Sequence, residues 1–333
     1  MVNDNLLEIN KLSVTFRTQE GLVKALEELS FSLKRGRTLG IAGESGCGKS
    51  ITSQAILRLI PKNGFINHGS ILFYPKDKNP IDITKLKSNS KQIRTIRGKE
   101  ISIIFQEPMT SFSPVLTIGK QIDEIIILHQ KVDKKTAKTK SIEMLKQVGL
   151  PNADSIHASY AYNLSGGMRQ RAMIAMALSC QPDLLIADEP TTAIDVTTQA
   201  MVLKLIRNIQ RENNLSLIFI THDLAILSEL ADDILIMYMG KEVEYGPINK
   251  IYKNPLHPYT MGLLFSIPIL GKGREQNLSS IPGSVPNSYE LPKGCLFHPR
   301  CEQKIIGLCE KEKPPLYHLD EDRSVRCFLY KDR

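Results

Sequence analysis

A chain of 333 residues, 42% hydrophobic and 23% charged, is long enough for two domains, and its composition excludes wholesale disorder, collagen and coiled-coil architectures. No apolar run approaches the roughly 18–20 residues of a membrane-spanning helix, and the start, MVNDNLLEIN, lacks a basic region followed by an apolar stretch; neither a span nor a secretion signal is expected. Part of the net charge of +8 is concentrated in residues 85–99 and 131–140, but without interleaved aromatics these runs read as solvated helix faces, so nucleic acid is not an expected partner. The six cysteines, with no secretory signal, point to the reducing cytoplasm, where cluster-bound, metal-bound or incidental thiols are expected rather than disulfides.

Residues 6–16 (LLEINKLSVTF) alternate apolar and polar side chains as a half-buried strand does, and residues 31–33 form a second short strand, so an antiparallel layer opens the fold. TLGIAG (38–43) is an apolar strand entering a Gly-rich turn, followed by a helical pattern over 49–60 that Pro61 helps to stop. The apolar strands ISIIF (101–105), LLIAD (184–188), SLIFIT (216–221) and DILIMY (233–238) are interleaved with helical patterns, among them 167–178 and 197–211. Buried strands alternating with helices predict an α/β fold with a largely parallel sheet. Residues 118–149 are helical in pattern only, which predicts an inserted α-helical subdomain at about 116–163. After Tyr245 proline becomes frequent, and four of the six cysteines follow Gly294. The expected boundary lies near residue 250, between a domain of residues 1–250 and an extension of residues 251–333.

Residues 43–50 read GESGCGKS and satisfy G-x-x-x-x-G-K-[ST] between a predicted strand and a predicted helix, the context a P-loop requires. Gly43, Gly46 and Gly48 let backbone N–H groups of Glu44, Ser45 and Cys47 turn around phosphate oxygens. The helix start at Ile51 adds partial positive charge, Lys49 brings a full one to the β and γ phosphates, and Ser50 offers an oxygen to Mg²⁺. Downstream, LLIADEP sets Asp188 and Glu189 at the end of an apolar strand, Asp188 to hold Mg²⁺ and Glu189 to polarise a water aimed at the γ phosphate.

NLSGGMRQR (163–171) resembles the signature of ABC-transporter ATPases, and four more elements arrive in that family's order. They are Phe16 at the aromatic A-loop position, Gln106 in IFQEP, TTAID (191–195) as the D-loop, and His222 in ITHD. The resemblance covers residues 1–250 almost continuously. It implies a P-loop NTPase core with an antiparallel β subdomain and an α-helical subdomain, with ATP and Mg²⁺ as cofactors. It also implies roles: Phe16 stacks on adenine, Gln106 reaches Mg²⁺ and passes motion to a membrane subunit, and His222 contacts the γ phosphate. Ser165, Gly166 and Gly167 complete the site of a partner subunit, so hydrolysis belongs to a closed dimer.

NPLHPYTMGLLFSIP (254–268) and MTSFSPVLTIG (109–119) are similar to the D-type ATPases of oligopeptide and dipeptide importers. That branch implies a homologous F-type ATPase as partner, two transmembrane permease subunits, an extracellular solute-binding protein acting indirectly, and a peripheral place on the cytoplasmic face of the membrane. Departures are small: Cys47 stands where Ser is common, Ile194 where the D-loop often has Leu, and SFSP where SLNP is usual. Related importers carry sugars or nickel. A DNA-associated ABC ATPase is the reading from another class, but no long insertion interrupts residues 50–160.

Cys295, Cys301, Cys309 and Cys327 lie in an irregular Cys-rich extension, and four thiolates suit either zinc or an iron–sulfur cluster. Resemblance to the D-type subunits favours a [4Fe–4S] cluster with a structural role. Cys47 and Cys180 are expected to carry no metal.

Overall fold

The computed structural model describes residues 4–76, 78–107, 111–192, 194–266 and 281–332. Pro108 of IFQEP, Met109 and Thr110 of MTSFSPVLTIG, Ala193 of TTAID, and residues 267–268 of NPLHPYTMGLLFSIP lie outside them.

The alternating start folds as β1 (Asn5–Thr18), which buries Leu6, Leu7, Ile9, Leu12 and Val14. Its partner β2 (Gly21–Lys34) is far longer than the expected 31–33. KALEEL within it reads as a helix former, but antiparallel pairing along β1 overrides that local preference. The chain then leaves for a second sheet as β3 (Thr38–Ala42) and enters α1 (Lys49–Ile56). This helix stops four residues short of the expected 60, because Leu57 caps it and Arg58 turns left-handed at φ 53°. β4 (Gly64–Phe73) and β5 (Ile81–Asp82), neither foreseen, return to the first sheet and complete its order β2-β1-β4-β5.

After a short α2 (Lys91–Ile96), β6 (Ile101–Ile104) joins the second sheet. The helical insertion follows as α3 (Ile118–Gln130), α4 (Lys134–Gln147) and α5 (Ala153–Ala158). Thr117 and Asp133 cap the first two through side-chain oxygens, and Ile118, Ile122 and Ile126 form the buried stripe of α3 at a spacing of four. A polar knot holds the three helices together: Asp123 of α3 meets His157 Nε2 of α5 at 3.1 Å and accepts from Ser141 Oγ of α4. Most of the basic run 131–140 is exposed, as a solvated face should be.

The remaining elements are α6 (Gly166–Leu178), β7 (Leu184–Asp188), α7 (Val196–Glu212), β8 (Ser216–Ile220), α8 (Leu224–Leu230), β9 (Asp233–Tyr238) and β10 (Lys241–Pro247). Then come α9 (Ile248–Lys253), α10 (Pro258–Phe265), β11 (Tyr317–Asp320) and β12 (Arg323–Val325). The second sheet has eight strands in the order β11-β12-β10-β9-β3-β8-β7-β6, parallel from β9 through β6 and antiparallel beyond. Every residue of β3, β7 and β8 is buried, as expected for parallel strands covered on both faces. The carboxyl ends of these three strands converge, the usual place for a ligand on an open α/β sheet.

The extension is fastened to the sheet rather than appended to it. β12 pairs with β10, and two Arg–Glu pairs run beneath: Arg323 to Glu244 at 2.9 Å and Arg326 to Glu242 at 2.7 Å. Glu244 is fully buried and also accepts from the backbone N–H groups of Leu256 and His257. His257 itself caps α10, its Nδ1 accepting from Tyr259 N, and burial pushes its pKa down to about 3, so the ring is neutral. Removing one partner of a buried pair strands the other charge. Arg323→Met is therefore expected to cost about 3–5 kcal/mol in urea denaturation; a loss below about 1 kcal/mol, the size of an ordinary net hydrogen bond, would show that the pair does not fasten the extension.

Candidate nucleotide-binding site

The turn after β3 is built around three glycines with positive φ, Gly43 at 154°, Gly46 at 79° and Gly48 at 104°. Gly43 is there for close approach as well as conformation: a Cβ at that position would lie 2.2 Å from the carbonyl oxygen of Met237. Gly48, left-handed, is the N-cap of α1. Lys49 is buried and folds back as an internal brace, its Nζ donating to Gly43 O at 2.7 Å and Glu44 O at 3.1 Å.

Asp188 ends β7 and ties that strand to α1. Ser50 Oγ donates to its Oδ1 at 3.0 Å and Ser53 Oγ to its Oδ2 at 2.9 Å. Burial pushes the Asp188 carboxyl pKa up, neighbouring Glu189 adds to that, and the two serines and Lys49 oppose it. A divalent cation placed there would relieve the unfavourable charge, so Ser50 and Asp188 form a chemically suitable oxygen pair for Mg²⁺.

Glu189 stands one residue beyond the strand in the left-handed region at φ 46°, uncommon for a residue with a side chain and a form of strain found at functional positions. Its N–H donates to Ile220 O at 2.9 Å, which holds the turn against β8. Its carboxylate accepts from Gln106 Nε2 and Thr192 Oγ1, each at 3.1 Å, and lies 3.5 Å from His222 Nδ1. Three segments therefore meet at one carboxylate, and the cleft beside it has a volume of about 520 Å³. Its lining comprises Ser45, Gly46, Gly48, Lys49, Ser50, Ile51, Gln106, Glu189 and His222, with Ala25 of β2 as a wall that no motif announced.

Of the expected residues, Gly43, Glu44, Cys47 and Asp188 adjoin the lining without forming part of it, and two further sets lie beyond. Phe16 is half-buried on β1, paired with Val23, two positions from Ala25, so it neighbours the cleft wall without forming part of it. Ser165 and Gly166 are exposed at the start of α6: Ser165 Oγ caps the helix by accepting from Met168 N at 3.3 Å, and nothing approaches within 4 Å of where a Gly166 side chain would begin. Gly167 packs so closely on Thr198 of α7 that a Cβ would come within 2.6 Å of it.

Sequence reasoning missed the contributions of Ser53, Thr192, Tyr259 and Arg300. Ser53 is one helical turn from Ser50 and was open to inference. Thr192 reaches Glu189 within its own turn, whereas the other two act by tertiary approach: Tyr259 Oη accepts from Glu44 N at 2.8 Å, and Arg300 pairs with the Glu44 carboxylate at 2.7 and 3.0 Å.

Residues 26–192 match the model of the ABC transporter family, and residues 243–309 match that of the oligopeptide/dipeptide transporter C-terminal region. The oligopeptide transport ATP-binding protein AppD of Bacillus subtilis is 47% identical, over 98% of this chain and 97% of its own length. The chain belongs to the ABC transporter ATPases. Two further Bacillus subtilis relatives share this ABC ATPase's full length: the oligopeptide transport ATP-binding protein OppD, 44% identical over 97% of this chain and 88% of its own, and the dipeptide transport ATP-binding protein DppD, 43% identical over 99% and 96%. With the C-terminal match, they place it among the ATP-binding subunits of the oligopeptide/dipeptide transporter class. The dimeric ABC transporter cassette MJ0796 has the same fold, with a TM-score of 0.63 at 23% identity over 73% of this chain and 98% of that one.

Asp188 offers a check on the charge argument. Asp188→Asn removes the poorly solvated charge that burial and Glu189 oppose, so without ligand the variant is expected to melt no lower than the native protein. In the same thermal scans it should lose the extra stabilisation that Mg²⁺ adds to ATP. An undiminished Mg²⁺-dependent shift would exclude Asp188 as a cation ligand.

Proposed function

We propose that this ABC ATPase is the D-type subunit that hydrolyses ATP to power import of di- and oligopeptides. The reading is supported most by the convergence of Lys49, Ser50, Asp188, Glu189, Gln106 and His222 on one cleft, while Ser165 and Gly166 of the same chain face solvent elsewhere. A triphosphate in the cleft would lie along the backbone of residues 45–51, with Phe16 near adenine; the N–H groups of Glu44 and Cys47, expected to face phosphate, are given instead to Tyr259 Oη and Glu44 O. Lys49 would turn from the carbonyls of Gly43 and Glu44 to the phosphates. Ser50, Asp188 and Gln106 would hold Mg²⁺, which when bound would neutralise charge on the phosphates. Glu189 orients the attacking water and accepts its proton, and His222 donates toward the γ phosphate. Ser165 and Gly166 are exposed at the start of α6, with Gly167 packed behind them on Thr198, so a second ATPase could meet this turn with its own loop in a site completed in trans.

The partners in this reading are an F-type ATPase and two permease subunits, with a solute-binding protein reached through them, on the cytoplasmic membrane face. Among the described residues no helix is long and apolar enough to cross a membrane, so attachment would come through the permeases. The names of the relatives support peptides over sugars or nickel as cargo. The domain assignment, residues 1–250 with a helical subdomain at about 116–163 and an extension of 251–333, belongs to the same reading.

For the extension we propose a [4Fe–4S] cluster on Cys295, Cys301, Cys309 and Cys327. All four thiols are free of disulfides. The negative charge of each neighbouring thiolate opposes ionisation of Cys327, and burial, the larger cause, carries its pKa up to about 12 and that of Cys295 to about 11. Among the described residues no three His, Cys, Asp or Glu side chains gather in a way that would hold a metal ion, so the four thiols would have to close on the group they bind. An iron–sulfur core would supply the positive charge that such thiolates lack.

Glu189→Gln is expected to keep ATP affinity within a few-fold while lowering turnover by 10² or more, roughly the contribution of a positioned base. It should also trap a stable ATP-dependent dimer by size-exclusion chromatography. Unchanged turnover would remove Glu189 from the mechanism. Anaerobically purified protein should be brown, and Cys301→Ser should abolish the colour. A colourless native protein carrying zinc would overturn the cluster.

A further inference from the structure

We propose that Arg300, in the C-terminal extension, is a positioning residue of the nucleotide site, fixing the P-loop through Glu44 so that ATP affinity depends on a docked extension. The inference rests on the reading of the cleft as the ATP site.

Arg300 is held on all sides. Its side chain is only 4% exposed, its Nε donates to Pro282 O at 2.9 Å, and its guanidinium lies 5.9 Å from the ring centre of Tyr238 and 6.0 Å from that of Phe297. Those rings belong to a packed aromatic cluster with Tyr259, whose centroid is 4.8 Å from Tyr238 and 5.4 Å from Phe297. From this mount the guanidinium makes a two-pronged pair with the Glu44 carboxylate at 2.7 and 3.0 Å, the geometry a planar fork favours. Tyr259 Oη, in the same cluster, accepts from the Glu44 backbone N–H.

Glu44 is consequently divided between two parts of the chain. Its side chain and N–H are held by the extension, whereas its carbonyl serves the loop, accepting from Lys49 Nζ at 3.1 Å and Cys47 N at 3.3 Å. A loop with three positive-φ glycines has many conformations to lose on ordering, and Lys49 supplies its internal brace. When Lys49 leaves those carbonyls for phosphate oxygens the brace goes with it. The two contacts from the extension remain, and they hold Glu44, and with it the entry to the loop, in place. Such pre-ordering appears as affinity, since less freedom remains to be lost on binding.

The test is titration of the full-length chain with a fluorescent N-methylanthraniloyl ATP in Mg²⁺. Arg300→Gln is expected to bind about ten-fold more weakly, within the usual range of coupling between distinct sites. Arg300→Lys should fall between it and the native protein, because an ammonium keeps the charge and loses the fork. The exchange Arg300→Glu with Glu44→Arg should recover at least three-fold over either single change, a rescue that mere loss of stability would not give. An Arg300→Gln protein with a native melting midpoint and affinity within two-fold of native overturns the proposal. Should that variant not fold, Glu44→Gln on the half-exposed loop carries the same expectation and the same threshold. Absence of binding by the native chain would overturn the site reading and the proposal together, whereas native binding with unaltered variants overturns the proposal alone.

Discussion

The joint between β7 and α1 is the constraint on which the site depends. Ser50 and Ser53, one helical turn apart, both donate to a single carboxylate, Asp188, in a place where burial and Glu189 disfavour its charge. Two neutral hydroxyl donors do not fully compensate a desolvated charge, so burial keeps the carboxyl pKa raised despite both serines. The joint also fixes where Glu189 begins, and the left-handed turn there swings the second carboxylate away from Asp188 toward Gln106 and His222. Adjacent acids on one strand end thereby acquire separate surroundings, one buried among serines and one among exposed amides and imidazole.

The extension belongs to the same mechanical unit. Three ion pairs link it to the core, two of them buried, Arg323 with Glu244 and Arg326 with Glu242, and one with a buried guanidinium on a half-exposed carboxylate, Arg300 with Glu44. Buried ion pairs are a poor way to gain stability, since desolvation cancels much of the attraction. They are, however, demanding in geometry, because an unpaired partner is costly. Three such pairs therefore specify how the irregular, proline-rich segment sits more sharply than apolar contact alone would.

Most of the cleft was legible in the sequence because its residues lie on short motifs with strong local logic. GESGCGKS needs its glycines where φ is positive, and LLIADEP ends a strand so apolar that it has to be buried. The antiparallel layer was much less legible. β1 announced itself by its alternation over residues 6–16, but β2 carries KALEEL, whose propensity is helical, and its pairing with β1 is interrupted by a register shift between Ile9 and Leu12. Ala25 lines the cleft with no chemistry to mark it, and Arg300 is 256 residues from the glutamate it holds. Contacts of that range are set by how layers stack, which a window of local sequence does not contain. Phe16 illustrates the converse, a residue placed by motif order that stands beside the cleft wall and not in it.

The pairing of β10 with β12 bears on how the protein is made. Glu244 and Arg323 are 79 residues apart, so on the ribosome β10 emerges well before the strand that covers it. Until then the nascent sheet presents a raw margin with a carboxylate that awaits its cation, the kind of edge that recruits other chains. Translation speed across residues 245–325, and chaperone access during it, thus acquire a structural meaning: they set how long the emerging polypeptide remains adhesive.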